Sequence, residues 1–165
     1  MQPITVAIAD EDAGRRAKLE RALQSEQGVR VLTNVATSGS GVTRNRRRQS
    51  RQGMTAVEDA VARVRRLNPR ILLVNLNQGT SADGEMLLSL GRECPETMII
   101  LMADESQPQE EQIVQALSKG ARGILDFDAD PILITKAVQV IDRGEAWVPR
   151  RMLGRLMDQV WHWHH

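Results

Sequence analysis

The chain has 165 residues, a formal net charge of +1, and 41% hydrophobic and 26% charged residues. These values are ordinary for a soluble globular protein, and the length predicts a single domain. No apolar run approaches the roughly 20 residues of a membrane-spanning helix, and residues 1–9 lack the basic start and long apolar stretch of a signal peptide. Cys94 is the only cysteine, so no internal disulfide can form, and we expect a cytoplasmic protein without a membrane partner.

The first half of the chain predicts three strands and two helices. β-branched or continuously apolar runs are typical of strands, and apolar residues three or four apart are typical of helices. In chain order we predict strand 4–9, a helix over 13–26 with Ala13, Leu19, Ala22 and Leu23 on its apolar face, strand 29–36, a helix with Val57, Ala60, Val61 and Val64 that stops at Pro69, and strand 71–76.

The second half continues this alternation. We predict a helix with Met86, Leu87 and Leu90, strand 97–103, a helix with Ile113, Val114 and Leu117 that ends at Gly120, strand 122–127, a helix from Pro131 with Ile134, Val138 and Ile141 that ends at Gly144, and a C-terminal helix over 149–161. Strands separated by helices predict right-handed crossovers and a parallel sheet. The near-continuous apolar runs of the third and fourth strands indicate burial on both faces.

The positive charge is concentrated in residues 37–53, which hold five arginines and no acidic residue. The other residues are 17 basic and 21 acidic ones, a net charge of −4. Because the segment starts with small polar residues and has no apolar periodicity, we predict a basic loop insertion. A solvated insertion and an anion-binding loop both remain open, the latter for nucleic-acid phosphate, a nucleotide or an acidic protein, because arginine suits bidentate phosphate contacts. The possible anion-binding residues are Arg44, Arg46, Arg47, Arg48 and Arg51.

Polar residues stand where the predicted strands end. Ligands of open parallel sheets bind at the carboxyl ends of the strands. Asn75 follows the third strand, and it is an amide where chemistry would favour a carboxylate. The acids at the other strand ends are Asp10, Glu11, Asp12, Asp104, Asp126 and Asp128.

Five short motifs support a more specific interpretation. They are "IADED" (8–12), "PRILLVNLN" (69–77), "MIILMA" (98–103), "KGARGILDFDADP" (119–131) and "VIDRGEAWVPRRMLGRLM" (140–157). In this order and spacing they resemble the receiver domain of two-component response regulators, most closely the NarL/FixJ-type branch, over residues 3–157 apart from the basic loop. The resemblance implies an α/β fold of the flavodoxin-like (βα)5 receiver type, with a parallel five-stranded sheet in the order 2-1-3-4-5 and an extra C-terminal helix.

The resemblance also implies that the phosphorylation pocket is degenerate. It aligns Asp10 and Glu11 with the acidic pair of the family, Asn75 with the phosphoacceptor aspartate, Met102 with the switch threonine or serine, and Phe127 with the lysine. Phosphoryl transfer needs a carboxylate nucleophile, a metal and a neutralising cation. Asn75 cannot form an acyl phosphate, Met102 has no hydroxyl and Phe127 has no charge. Three replacements in register predict a pocket that is not phosphorylated.

Ordinary structural roles compete at these positions. We favour helix capping for Asp10, Glu11 and Asp12 over metal binding, because loss of one carboxylate weakens a magnesium site, and we expect no metal and no cofactor. Met102 and Phe127 are predicted to be apolar fillers. Loop and cap positions are predicted for Asp83, Asp104, Asp126 and Asp128, a structural role for Cys94, and a tail rather than a metal site for His162, His164 and His165.

The sequence thus predicts a pseudo-receiver domain over 1–146 with the insertion 37–53, a C-terminal linker helix over 147–161 and a tail over 162–165. We expect no enzyme, but a phosphorylation-independent signalling module linked to transcription regulation. Its contact with a protein partner or a second copy would use the face of the fourth helix, fifth strand and fifth helix. Ile124, at the family's switch-aromatic position, fits one fixed state. The alternative is a small-anion or nucleotide sensor, or nucleic-acid contact through the arginine loop.

The C-terminal helix carries apolar residues that need a packing partner. They recur at helical spacing, at Met152, Leu153, Leu156, Met157 and Val160. Two partners remain open: a second copy of the chain, which would give a constitutive dimer, and the chain's own domain.

Overall fold

The computed structural model describes residues 2–10, 12–32, 56–75, 80–103 and 110–164. In chain order the elements are β1 (Ile4–Ala9), α1 (Ala13–Gln24), β2 (Val29–Leu32), α2 (Ala56–Leu67), β3 (Ile71–Asn75), α3 (Thr80–Glu93), β4 (Met98–Ala103), α4 (Glu110–Ser118), β5 (Gly123–Asp126), α5 (Pro131–Asp142) and α6 (Arg150–His164). The predicted alternation of strands and helices is confirmed. None of these helices is long and apolar enough to cross a membrane.

The five strands form one parallel sheet in the order β2-β1-β3-β4-β5, as predicted. The register pairs Ala9 with Val74 and Asn75 with Met102. The end of β1 therefore lies beside the end of β3, and the end of β3 lies beside the end of β4. This register brings the residue after β1 close to Asn75.

Apolar side chains cover both faces of the sheet, so the predicted two-sided burial is confirmed. On one face, Leu72 and Val74 of β3 belong to a cluster with residues of α2, α3, α4 and α6. On the other face, Ile71 and Leu73 belong to a cluster with residues of α1 and α5. Successive residues of β3 thus supply the two cores alternately, which explains why its sequence is apolar throughout.

The structure corrects the predicted burial of Ala13, the predicted position of Asp83 and the predicted end of the C-terminal helix. Ala13 is exposed, because the buried face of α1 begins only at Leu19. Asp83 lies within the first turn of α3 and not in a loop, a position where the helix dipole favours an acid. Helix α6 continues to His164, so the predicted end at residue 161 is wrong. The expected glycine stops are confirmed: Gly120 and Gly144 follow α4 and α5 with φ of 120° and 92°.

The C-terminal segment folds back on its own domain. Trp147 forms a parallel bridge with Gly123 at the outer edge of β5: the Trp147 backbone N–H donates to the Arg122 carbonyl at 3.1 Å, and the Ile124 N–H donates to the Trp147 carbonyl at 2.9 Å. Beyond it α6 packs against α4, where Met152 is buried. The sequence left two packing partners open for this helix, a second copy and the chain's own domain. For Met152 the partner is the chain's own domain, where it is buried.

Gly123 is needed for this close approach. A Cβ at Gly123 would stand 2.7 Å from Ile141 Cδ1, 3.0 Å from the Trp147 carbonyl oxygen and 3.1 Å from Trp147 Cβ. Only a residue without a side chain lets the two backbones pair at these distances. As a result, the segment around Trp147 covers the edge of β5, and α6 covers part of α4.

Candidate functional site

Two polar side chains are buried together at the carboxyl end of the sheet. Asp10 directly follows β1 and Asn75 ends β3, and each is only 2% exposed. The Asn75 amide nitrogen lies 3.3 Å from Asp10 Oδ1, to which it donates a hydrogen bond. The predicted proximity of Asp10 and Asn75 is confirmed.

Arg15 supplies the positive charge that faces Asp10. Arg15 Nε donates to Asp10 Oδ2 at 2.8 Å, and Arg15 Nη2 donates to Asp10 Oδ1 at 3.2 Å. This two-pronged pairing is the geometry in which guanidinium binds carboxylate most strongly. The hydrogen bond with Asp10 raises the pKa of Arg15 above its ordinary value, against the opposing effect of burial. The buried carboxylate is therefore neutralised by a side chain of the protein itself.

The N-terminus of α1 positions Arg15. Asp12 is the N-cap residue of α1, and its Oδ1 accepts a hydrogen bond from the Arg15 backbone N–H at 3.0 Å. The Asp12 backbone N–H in turn donates to Asp10 Oδ1 at 2.9 Å. Arg15 is the third residue of the helix, and helical side chains point back towards the N-terminus. Its guanidinium thereby returns to the strand end that the chain has just left.

Phe127 forms the other side of this site. The Arg15 guanidinium carbon lies 4.7 Å from the centre of the Phe127 ring, within the range of a cation–π contact. The Phe127 carbonyl also accepts a weak hydrogen bond from Lys18 Nζ at 3.5 Å. We predicted Phe127 to be an apolar filler, and it is partly buried in the cluster on the α1 side. It also contacts the charge of Arg15, which the sequence did not indicate.

The capping prediction is confirmed for Asp12 and wrong for Asp10. The hydrogen bond from the Arg15 backbone lowers the pKa of Asp12, which burial opposes and the nearby Arg15 charge favours. The N-cap is Asp12, and the Asp10 carboxylate instead accepts hydrogen bonds from the Asp12 backbone N–H, Arg15 and Asn75. Glu11 lies outside the described residues.

Apolar side chains occupy the last pocket position, Met102, and the switch-aromatic position, Ile124. Met102 is buried in the same cluster as Ile8 and Leu125, so its prediction as a filler is confirmed. Ile124, at the position compared with the switch aromatic, is also buried, on the opposite face of the sheet. Neither position offers a hydroxyl or an aromatic ring.

The described residues do not fit the magnesium ion that receiver domains hold at this place. Both Asp10 oxygens already accept hydrogen bonds from Arg15, and Oδ1 accepts two more, from the Asp12 N–H and the Asn75 amide. Mg²⁺ prefers several hard oxygen ligands, whereas the four hydrogen bonds that Asp10 accepts from these described residues all come from N–H donors. In the described part of the chain, no group of three or more His, Cys, Asp or Glu side chains could hold a metal ion.

The remaining predicted residues are distributed over the surface and the core. Asp126 is the last residue of β5, and its Oδ1 accepts the Asp128 backbone N–H at 3.0 Å, so a loop position is confirmed for Asp128 only. Asp130, which the sequence analysis did not single out, caps α5. Cys94 is buried, and burial raises the pKa of its thiol, which suits a structural role. Outside the described part lie the basic loop with Arg44, Arg46, Arg47, Arg48 and Arg51, residue Asp104, and the side chains of Asp83, His162, His164 and His165. Anion binding by the loop stays a prediction.

Comparison with known proteins identifies the fold. No family model matches the chain, and no curated protein matches it in sequence. A LuxR family DNA-binding response regulator from Silicibacter pomeroyi is 25% identical, with a TM-score of 0.63 over 89% of this chain and 98% of that one. The signal receiver domain of NarL from Mycobacterium tuberculosis is 19% identical, with a TM-score of 0.64 over 88% of this chain and 100% of that one. The isolated REC domain of RcsB from Salmonella enterica serovar Typhimurium, in its apo form, is 16% identical, with a TM-score of 0.67 over 94% of this chain and 98% of that one. The chain has the flavodoxin-like fold of receiver domains, as predicted.

Proposed function

We propose that this chain is a receiver-type signalling module that works by protein contact and without aspartyl phosphorylation. Its fold is that of response-regulator receiver domains, which suggests a role in two-component signalling. A DNA-binding response regulator of the LuxR family is among the similar structures, which favours a link to transcription regulation. On this account the chain is a binding module and not an enzyme.

The pairing of Arg15 with Asp10 is the observation that carries the proposal. In a phosphorylatable pocket, acidic side chains hold a metal ion, and the metal and a cation together neutralise the phosphoryl oxygens. Here the guanidinium is bonded to both oxygens of Asp10 and lies over the Phe127 ring. The Asp10 carboxylate is thus paired with a cation of the chain itself, and Asn75 presents an amide hydrogen in place of a nucleophilic oxygen. On this proposal the pocket accepts neither a phosphoryl group nor the metal ion that accompanies it.

A fixed pocket implies a fixed signalling state. In a two-state protein a ligand shifts the equilibrium only by its differential affinity for the two states. A chain that is not phosphorylated lacks this control, so its partner-binding surface is permanently available or is governed by something else. The buried aliphatic Ile124 at the position of the switch aromatic agrees with a single state.

The contact surface is expected to differ from the bare face of α4, β5 and α5. The segment around Trp147 covers the edge of β5, and α6 covers part of α4. Exposed apolar side chains remain at the start of α5 and on the outer side of α6, at Ile132, Leu133, Leu153 and Met157. We propose that partner contact uses these two helices.

Treatment with a small phosphodonor tests the proposal. The protein is incubated with acetyl phosphate and Mg²⁺ and its intact mass is measured, beside a conventional receiver domain as the positive control. We expect the control to gain the mass of one phosphoryl group and this protein to gain none. A base-labile phosphoryl adduct on the unaltered chain would overturn the proposal. The variant Asn75→Asp restores a nucleophile, yet it should not restore a phosphorylation-dependent change of state, because Met102 and Phe127 still lack the groups that respond to a phosphoryl oxygen.

A further inference from the structure

A groove of about 610 Å³ opens between the end of β5, the first turn of α5 and the residues before α6. Its volume lies within the range of ordinary ligand and side-chain binding sites. The apolar part of its lining includes Leu133, Trp147 and Val148. It is separate from the Asp10 pocket, and it shares Leu133 with the proposed contact surface.

The wall of the groove is preformed. Trp147 is held at the edge of β5 by two backbone hydrogen bonds, at 2.9 and 3.1 Å, and by the close approach to Gly123. On the other side, Asp130 caps α5 and fixes the helix that carries Leu133. A site held in this way loses little conformational entropy on binding.

Three carboxylates line the same groove, at Asp126, Asp128 and Asp130. Asp126 and Asp130 each use one oxygen to accept a backbone N–H, from Asp128 and Ile132. An ionised carboxylate can accept about four hydrogen bonds, so most of this capacity is left for a partner. Within the described ranges, none of the three carboxylates pairs with a cationic side chain, and Lys18 contacts the Phe127 carbonyl instead. The groove therefore selects for positive charge.

The apolar surface continues outside the groove. Leu133 is 45% exposed and its neighbour Ile132 is 73% exposed, both in the first turn of α5. A small cation could occupy the groove, but it would leave these two side chains in water. A polypeptide segment would cover both the groove and the two exposed side chains of α5, which favours a protein as the occupant.

We infer that the groove docks a segment of a partner protein that carries apolar side chains next to arginine or lysine. The apolar residues pack on Trp147, Leu133 and Ile132, and the basic head reaches the carboxylates of Asp126 and Asp128. The three acids repel phosphate, so nucleic acid is not bound here. This inference deepens the proposed function, on which it rests, by naming the chemistry of the partner.

Three matched peptides test it, all blocked at both ends: Ile-Arg-Leu-Arg-Ile, Ile-Glu-Leu-Glu-Ile and Ser-Arg-Ser-Arg-Ser. The protein carries Trp161→Phe and Trp163→Phe, so that the only indole N–H signal in its nitrogen-15 NMR spectrum is that of Trp147. We expect the first peptide to shift this signal saturably at concentrations up to millimolar, and the other two to leave it unchanged. The second peptide lacks the charge, and the third lacks the apolar side chains.

Charge-neutral variants provide the second arm of the test. Asp126→Asn with Asp128→Asn keeps the acceptor oxygen of the loop, and should weaken binding of the first peptide roughly three- to tenfold, as expected for two exposed charge pairs. Glu26→Gln with Glu96→Gln removes the same charge before β2 and β4, at the opposite end of the sheet, and should leave affinity within about twofold.

Three results would overturn the inference: no shift with any peptide, an equal shift with the glutamate peptide, or unchanged affinity in the aspartate variant. None of them bears on phosphorylation. Conversely, a phosphoryl adduct would remove the proposed function without affecting peptide binding.

Discussion

Replacing Arg15 by alanine is expected to lower the free energy of unfolding by about 2 kcal/mol. Asp10 is 2% exposed and Arg15 is 40% exposed. Removing one partner of a fully buried ion pair costs about 3–5 kcal/mol, whereas an exposed pair contributes about 0–1 kcal/mol. The Arg15–Asp10 pair lies between these limits, because water reaches the guanidinium but not the carboxylate. The hydrogen bonds from Asp12 and Asn75 that remain on Asp10 reduce the cost further.

Urea unfolding followed by circular dichroism measures this change. Arg16→Ala is the matched control: it removes the same side chain from the next position of α1, where no described hydrogen bond or ion pair is lost, and should stay within about 0.5 kcal/mol of the wild type. The free energy of unfolding of Arg15→Lys should fall between those of the wild type and Arg15→Ala, because lysine keeps the charge but cannot make the paired hydrogen bonds of a guanidinium.

A double-mutant cycle separates the pairing from the other effects of the substitution. Asp10→Asn combined with Arg15→Met removes both charges, and the coupling energy between the two positions should exceed about 1 kcal/mol. If Arg15→Ala is no more destabilising than Arg16→Ala, and the coupling is close to zero, the guanidinium does not neutralise Asp10 and the reasoning fails.

Three further predictions concern the N-cap Asp12, the close approach at Gly123 and the outer side of α6. The hydrogen bond from the first turn of α1 holds the pKa of Asp12 below its usual range. Its contribution to stability is therefore present above that range and is lost as the pH falls through the lowered pKa. Asp12→Asn should remove this part of the fall in melting temperature on acidification, and an unaltered profile would contradict it. Gly123→Ala should destabilise the fold by about 1–3 kcal/mol, because the added Cβ would collide with the Trp147 segment. The control Gly154→Ala, in the open interior of α6, should stabilise the fold by up to about 1 kcal/mol. Equal effects of the two variants on the melting temperature would argue against the close approach. We expect the protein to self-associate at micromolar concentration through the exposed Leu153 and Met157, and replacing both by serine should abolish this in sedimentation. A monomeric wild type would exclude a second copy of the chain as a packing partner of α6.

The sheet could be predicted because its signals are local and repeated. The run Ile71–Val74 is apolar throughout, which requires two covered faces, and the alternation of strands with helical patterns leaves few possible topologies. The strand order and the place of Asn75 followed from the likeness of short motifs in the same order. These features need only the type of residue at each position.

Arg15 could not be found in this way, because its role depends on contacts between distant parts of the chain. It lies five residues after Asp10 but 112 residues before Phe127, so no local pattern joins the three side chains. On a helix, an arginine beside Arg16 and Lys18 is typical of a solvated face. One signal was available: an N-cap at Asp12 makes Arg15 the third helical residue, whose side chain points back to the strand end.

The sequence also did not predict which surface α6 packs against. Its apolar spacing required a partner, and a second copy or the chain's own domain satisfied the pattern equally well. What decides the matter is Gly123, whose missing Cβ lets Trp147 pair with β5 and directs the following helix onto α4.

A magnesium titration followed by NMR tests whether Arg15 already neutralises the Asp10 carboxylate. The signals to observe are the Asn75 side-chain amide and the Arg15 Nε–H, which both donate to Asp10. We expect neither signal to shift saturably as Mg²⁺ rises to millimolar concentrations, while a conventional receiver domain responds under the same conditions. Saturable shifts of both signals, with loss of the Arg15 contact, would show that the metal displaces the guanidinium and would contradict the account.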